Sequence, residues 1–333
     1  MTLRVAINGF GRVGRTFFRK AISTPGIEIV GINGVKDIST LVHLLKYDST
    51  FGRFEKEVTF DENYIVVEGK RIRTTAIREP GNLPWKELGV DIVMDSTGQF
   101  KDIETAMPHI DAGAKKVVIS AQAKTDHATL VYGVNHQNFD PEKHIIISNS
   151  SCTTNALAPV MKVLDEQFGV EKGLMATVHA YTNDQVTLDK SHKDLRRARA
   201  AACSIIPTTT GAAKAVAKVL PQMKGKLNGF AMRVPVCNVS IIDLNVELKK
   251  PATKEEINAV FAAQAAGEMK GIIGYSDEPL VSVDYIGTEC SGTIDALSTM
   301  VLDDMAKIVI WYDNEWGYCC RLLDLIMYMG EKM

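Results

Sequence analysis

No two cysteines in this chain have the C-x-x-C spacing, and no histidine cluster has the spacing of a metal site. The six cysteines are Cys152, Cys203, Cys237, Cys290, Cys319 and Cys320. That is too sparse for a disulfide scaffold over 333 residues, and it fits a reducing, cytoplasmic setting. No apolar run reaches the ~18 residues of a membrane span. Long-period repeats, Pro/Ser-rich linkers and low-complexity tracts are missing as well. The first residues enter a strand pattern directly rather than the apolar stretch of a secretory leader. Net charge is −2, so no strong field draws nucleic acid or anionic membrane. The one basic run, Lys193 to Arg199, contains Asp194 and suits a solvated face or a small phosphate site. What the chain does have is apolar matter, 46% of its residues, over a length that predicts two domains.

Leu3 to Ile7 reads as a buried strand. Gly9-Phe10-Gly11-Arg12-Val13-Gly14 follows at once, then a helical apolar pattern through Phe17, Phe18 and Ile22, then a second strand over Ile27–Ile32. Strand, G-x-G-x-x-G, helix and strand within about 30 residues form a dinucleotide fingerprint. Gly9 makes the tight turn, Gly11 lets backbone approach a pyrophosphate, and Gly14 permits close packing of helix on sheet. Anions sit well on such a helix N-terminus. The fingerprint's acid at the end of the second strand is absent, and Asn33-Gly34 stands there instead. A carboxylate at that point would repel a ribose 2′-phosphate, so its absence removes a bar to NADP, and Lys36 or Arg78 can add attraction. The alternative is that Asp37 swings back to serve NAD.

Further strands are expected at Tyr64–Val67, Ile92–Asp95, Val117–Ser120 and Ile145–Ser148. This alternation predicts an α/β, doubly wound, mostly parallel Rossmann-type sheet over residues 1–150. Ser96-Thr97-Gly98 and Ser120 lie at strand ends, where such sheets bind ligands.

Beyond residue 150 the pattern changes. Ser151-Cys152-Thr153-Thr154-Asn155 lies between a buried strand and a helical run of Leu157, Val160, Met161, Leu164 and Phe168. A thiol at a helix N-terminus meets partial positive charge and free N–H groups, which lower its pKa toward neutrality and favour the thiolate. A buried core thiol is the plain alternative. His179 closes the strand Leu174–His179 and is a candidate general base, or a structural histidine. Ala180 to Pro207 is a long irregular stretch. Thr182, Arg196, Arg197 and Arg199, then Thr208-Thr209-Thr210-Gly211 opening a helix, and Arg233 on a later strand are groups that suit phosphate. Helix capping and surface arginines explain the same residues more simply. Strands at Phe230–Val236, Val239–Leu248 and Lys307–Tyr312, with a helix at Lys254–Ala266, predict an α+β catalytic domain over 151–316 with a large mixed or antiparallel sheet. A helix over 317–333 is expected to dock back on the first domain.

Taken together, these segments closely resemble the phosphorylating glyceraldehyde-3-phosphate dehydrogenases along nearly the whole chain. The marks are Ile7-Asn8-Gly9-Phe10-Gly11-Arg12-Val13-Gly14-Arg15, His43 to Ser49, Ser151 to Asn155, His179-Ala180-Tyr181-Thr182, Thr210 to Lys214, Met232 to Pro235 and Trp311 to Glu315. The resemblance implies that Cys152 attacks the aldehyde and that His179 takes the proton. Hydride leaves for NAD(P), and inorganic phosphate releases 1,3-bisphosphoglycerate from a thioacyl enzyme. It puts the substrate phosphate near Thr182 and Arg233, and inorganic phosphate near Ser151, Thr153, Arg197, Thr210 and Gly211. Arg12 and Val13 would contact the cofactor backbone, and Asn314 would orient the nicotinamide. A homotetramer is implied by the resemblance, and glycolysis, gluconeogenesis and carbon fixation all stay open as its pathway; cysteine usage and charge favour the cytoplasm and indicate no metal, membrane or nucleic-acid partner.

Three departures stand out. Gly34 replaces the usual Asp. Leu188-Asp189-Lys190-Ser191-His192 replaces a stretch that carries Leu-Pro before the His in NAD-preferring members. Ala156 replaces a second cysteine. The first two favour NADP, with Lys190 and Ser191 as further candidate cofactor residues. The rival readings are erythrose-4-phosphate dehydrogenase, a thiol hydrolase and a non-catalytic binding protein. Thr-Thr-Thr-Gly before the helix argues against the first, and the dinucleotide fingerprint against the second.

Overall fold

A computed structural model describes residues 2–333, which divide into two compact units. The first comprises residues 2–130, 136–150 and 322–333; the second comprises 131–135 and 151–321. The division departs from the expected boundaries twice. Residues 131–135 pack with the second unit, and the last helix, Trp316–Lys332, joins the first unit only from Leu322.

The first unit is built on a nine-stranded sheet. Leu3–Asn8 pairs in parallel with Ile27–Asn33 on one side and Ile92–Asp95 on the other. Lys116–Ile119, Ile146–Ser148 and Ala128–Thr129 continue outward beyond Ile92–Asp95, all in parallel. On the other flank Lys70–Thr75 is parallel to Ile27–Asn33, and the sheet then turns antiparallel through Tyr64–Val67 and Val58–Phe60. Chain order reverses about Leu3–Asn8, so the carboxyl end of that strand is the switch point where such sheets hold ligands. The central strands are buried on both faces, as in covered parallel sheets; Ile92–Asp95 and Lys116–Ile119 are buried throughout. Lys70–Thr75 was not expected from sequence. Its residues are Lys-Arg-Ile-Arg-Thr-Thr, and only Ile72 is buried, so it carries little apolar signal.

The second unit holds an eight-stranded mixed sheet. Val170–Ala180 lies at its centre, parallel to Leu227–Val234 and antiparallel to Ser240–Leu248. Ser240–Leu248 alternates buried and half-buried along its length, the period-2 pattern of a sheet with one face in a core. Against that face pack the helices Cys152–Phe168, Ala212–Val219 and Lys254–Ala266, through Leu157, Met161, Val216 and Phe261. The last helix of these starts with a capping box, Thr253 and Glu256 exchanging side-chain and backbone bonds. Ile273–Ser276 and Gly292–Asp295, also unexpected, complete the far edge.

Candidate active site

In the first unit the switch point is a cavity of about 320 Å³. Its floor is the glycine loop. Gly9 has φ +95°, in the region that favours glycine. A Cβ on Gly14 would fall 2.1 Å from the Gly9 carbonyl oxygen, whereas one on Gly11 would meet nothing within 4 Å. The loop is therefore tight underneath and open where a pyrophosphate would approach, and the site fits a dinucleotide. Gly34, Arg78, Ser96 and Thr97 line the same cavity, as do Arg15 and Lys36, and no carboxylate lines it. Arg12 and Val13 stand just beyond, on the helix Arg12–Ala21, with Arg12 paired to Asp48. Ser120 also lies outside the cavity, its N–H bonded to Asp95 O at 2.9 Å.

Asp37 does not serve this cavity. Its carboxylate caps the helix Ile38–Lys46, accepting from Thr40 N at 2.9 Å, Thr40 Oγ1 at 2.7 Å and Ser39 Oγ at 2.6 Å. Those hydroxyls and the backbone bond hold its pKa well below the usual carboxylate range. Asn33 is likewise committed. It donates to Asn8 Oδ1 at 2.7 Å and Ile77 O at 2.8 Å, and accepts from Thr75 Oγ1 and Ile77 N, each at 2.9 Å. A buried chain continues from Asn8 to Asp95 at 2.6 Å, with His109 3.5 Å from the same carboxylate and taking a bond from Trp85 at 2.9 Å. This polar skeleton holds the strand ends under the cavity, and neither Asn33 nor His109 stood out in the sequence as doing so.

In the second unit the helix Cys152–Phe168 begins at the thiol. Ser150 has φ +55°, a costly conformation for a residue with a side chain, and it turns the strand end into the helix. Ser151 is the N-cap, its hydroxyl accepting from Thr154 N at 3.2 Å. Cys152 Sγ lies 3.5 Å from His179 Nε2, within reach of a sulfur hydrogen bond. Part of Cys152 reaches solvent, yet the protein packed round it pushes the thiol pKa up. Arg233 and hydrogen bonds from Thr153 pull it back only in part. The expected low thiol pKa is therefore not found, because burial outweighs these pulls. His179 is pushed down to about 3 by burial and by the Arg233 cation. Both shifts favour the uncharged forms, and the imidazole stands within reach of the thiol proton.

Strand register brings Arg233 to His179, its direct partner across the parallel pair. Its guanidinium touches His179 Nδ1 and donates to Ala180 O at 3.0 Å. Arg197 is tied to Asp184, to Thr208 Oγ1 at 2.8 Å and to Thr209 O at 3.3 Å, next to Thr210 and Gly211 at the start of the helix Ala212–Val219. Thr182 turns back on Gln185 through its N–H at 2.9 Å. Thr153 is buried, its hydroxyl 3.0 Å from Tyr312 Oη, which is 2.8 Å from Thr177 Oγ1. Tyr312 also meets the His179 ring edge-on, centroids 5.9 Å apart. It lies in the Trp311 to Glu315 stretch that carries the resemblance, but no role was expected of it from sequence. Asn314 is held through Oδ1 by Ser240 Oγ at 2.8 Å. Lys190 and Ser191 are exposed on the 181–205 loop. Among the described residues no acidic, cysteine and histidine group is arranged to hold a metal.

A Rossmann unit with an open glycine cradle, and a mixed-sheet unit presenting a thiol to an imidazole beside arginines, define a dehydrogenase that acts on a carbonyl substrate. Comparison with known proteins narrows the class. Residues 3–103 match the family model "Glyceraldehyde 3-phosphate dehydrogenase, NAD binding domain", and residues 151–314 match its C-terminal domain. The chain is 60% identical over 333 residues to glyceraldehyde-3-phosphate dehydrogenase of Geobacillus stearothermophilus, covering 100% of this chain and 99% of the relative. It is 55% identical over 334 residues to glyceraldehyde-3-phosphate dehydrogenase 2 of Bacillus subtilis, covering 100% and 98%. The chain belongs to the glyceraldehyde-3-phosphate dehydrogenase family.

Proposed function

We propose that this enzyme oxidises and phosphorylates D-glyceraldehyde 3-phosphate to 1,3-bisphosphoglycerate, reducing NAD(P), and that it uses NADP well. The observation that carries the reading is Cys152 Sγ at 3.5 Å from His179 Nε2, with Arg233 against the same imidazole. Cys152 adds to the aldehyde carbon as His179 takes the thiol proton. Arg233 and Thr182 hold the substrate phosphate, and charge-assisted bonds of this kind are the strong ones. NAD(P), held in the glycine cradle, would supply the hydride acceptor that converts the hemithioacetal on Cys152 into a thioester. Inorganic phosphate, held by Ser151, Thr153, Arg197, Thr210 and Gly211, attacks that thioester and frees the thiolate, which recovers its proton from His179. Gly9, Gly11, Arg12, Val13, Gly34, Arg78 and Ser120 hold the dinucleotide, and Asn314 fixes the nicotinamide amide.

A cavity with three cations and no carboxylate supports NADP, as do Lys190 and Ser191 on their exposed loop. A homotetramer in the cytoplasm, acting in glycolysis or gluconeogenesis, is part of the same proposal. Cys152→Ser tests the core of it. The serine hydroxyl titrates far above neutrality, so turnover should vanish while cofactor binding, read by fluorescence quenching, persists. Substantial turnover in a clean preparation refutes the thioacyl route.

A further inference from the structure

We propose that a basin beside the helix Ala212–Val219 docks an acidic segment of another protein, one that places carboxylates on either side of an apolar residue. None of the residues lining the basin belongs to the cofactor cavity or to the thiol–imidazole pair. The chain makes the basin by doubling back. The helix Ala212–Val219 runs into a short turn at Pro221–Met223, and the strand Leu227–Val234 returns against the helix. Gly225, at φ +80°, sits in that reversal. The hollow has a volume of about 650 Å³, within the range of ligand pockets. Its floor is Ala213, Ala217, Met223 and Leu227, and its rim is Lys214, Lys218 and Lys224.

The rim carries charge that the protein does not balance. The chain as a whole has 40 acidic residues against 38 Lys and Arg, yet no Asp or Glu lines this hollow. All three lysines are exposed, and among the described residues none of their ammonium groups has an ion-pair or hydrogen-bond partner. Lys214 and Lys218 are one turn apart on one helix face, where like charges repel. Lys214 also stands in the first turn, where the helix dipole opposes a cation and no acid offsets it. Only Lys218, in the last turn, is explained by its own helix. Local rules broken without compensation point to function, and an incoming anion would relieve both conflicts.

The lining selects among anions. Single-stranded nucleic acid is held by aromatic rings that stack on bases and by arginine as well as lysine, and no aromatic residue or arginine lines the basin. A small inorganic anion would meet the lysines and leave the apolar floor wet. An acidic peptide matches both parts. Each carboxylate takes one compact ammonium, and the apolar side chain between them covers Met223 and Leu227. Asn228 accepts from Gly229 N through Oδ1 at 2.9 Å, which leaves its Nδ2 to donate to a peptide carbonyl. Charges on an exposed rim steer encounter and are screened by salt, so binding should be fast and salt-sensitive.

The test is fluorescence anisotropy of a labelled peptide, Glu-Asp-Leu-Asp-Glu, on the whole enzyme with saturating cofactor, which fills the other cationic cavity. Lys218→Glu with Lys224→Glu should weaken binding by about tenfold or more, while turnover of glyceraldehyde 3-phosphate stays as in wild type. Lys218→Gln with Lys224→Gln should weaken it by about threefold, and serves if the reversed pair fails to fold. The same peptide with Lys for each acid should prefer the reversed variant to wild type. The peptide with Ser for its Leu should bind about threefold more weakly. A wild type that does not bind the acidic peptide overturns the proposal, as does equal affinity in wild type and both variants. Indifference to the Leu-to-Ser change overturns the apolar anchor. A single-stranded RNA of equal charge that displaces the peptide, and that the reversed variant no longer binds, would make this a nucleic-acid surface instead.

Discussion

Gly34→Asp should lower the ratio of NADP use to NAD use. The cavity round Gly34 is lined by Arg15, Lys36 and Arg78 with no opposing carboxylate, so the new acid would be its sole anion. For a unit charge about 6 Å from a dianionic phosphate in a half-open pocket of effective dielectric about 60–80, the repulsion is about 1.4–1.8 kcal/mol. That corresponds to about a ten- to twentyfold loss for NADP. The substitution also has a steric cost. A Cβ on Gly34 would stand 2.9 Å from Leu41 Cδ1, and Leu41 is buried, so it must shift. Crowding of this kind costs about 1–3 kcal/mol, but it falls on both cofactors alike. Gly34→Ala carries the same Cβ without the charge and serves as the reference. The assay is kcat/KM for NADP over kcat/KM for NAD in all three proteins. Wild type should give a ratio at or above unity, Gly34→Ala should stay within about threefold of it, and Gly34→Asp should fall about tenfold or more. Equal ratios in the Ala and Asp variants, or a wild type that ignores NADP, would refute the electrostatic argument.

His179→Asn should lower turnover by about 10²–10⁴-fold, the range for a lost acid–base group, as measured at saturating substrate; an unchanged rate would make His179 structural. The same variant should change how stability depends on pH. Folding lowers the His179 pKa from 6.5 to about 3, so the unfolded chain binds the extra proton. The contribution of this residue is present above pH 6.5 and is lost as pH falls toward 3, with a slope of up to ~1.4 kcal/mol per pH unit. Denaturant titrations across that window should show a shallower acid loss in His179→Asn, and parallel curves would refute the burial argument. Asp37→Ala should destabilise the protein by about 1 kcal/mol through the lost helix cap, with little change in KM for NAD. A large rise in that KM would mean that Asp37 leaves its cap to serve the ribose.

Much of the first unit was legible because its signals are local. The glycine fingerprint lies within one turn and one helix, and the strands it joins are continuous apolar runs. The helix expected at Lys254–Ala266 has those bounds in the structure, where Thr253 and Glu256 form a local capping box at its start. Cys152 was visible at its strand-to-helix junction because that signal is local. Strands with polar composition, such as Lys70–Thr75, were not, since they are held by their neighbours rather than by their own pattern. Asp37 illustrates the limit in the opposite direction. As a residue type near a missing acid it suited the ribose, but Ser39 and Thr40 beside it made it a cap.

The sequence by itself determined the two-unit plan, the dinucleotide cradle, the missing carboxylate at Gly34 and the place of Cys152 at a strand-to-helix junction. All of these depend on residues close together along the chain. Only the tertiary structure decided the electrostatic state of the site. Whether the thiol is lowered by a helix end or raised by burial depends on how much protein surrounds it, and burial prevails. His179 and Arg233 are 54 positions apart, and a parallel strand register, which no local pattern encodes, puts them in contact. Tyr312 reaches Thr153 and Thr177 in the same way, across separate elements. Pairing between distant strands is fixed by the packing of whole faces, so the contacts that tune the chemistry exist only once both faces are in place.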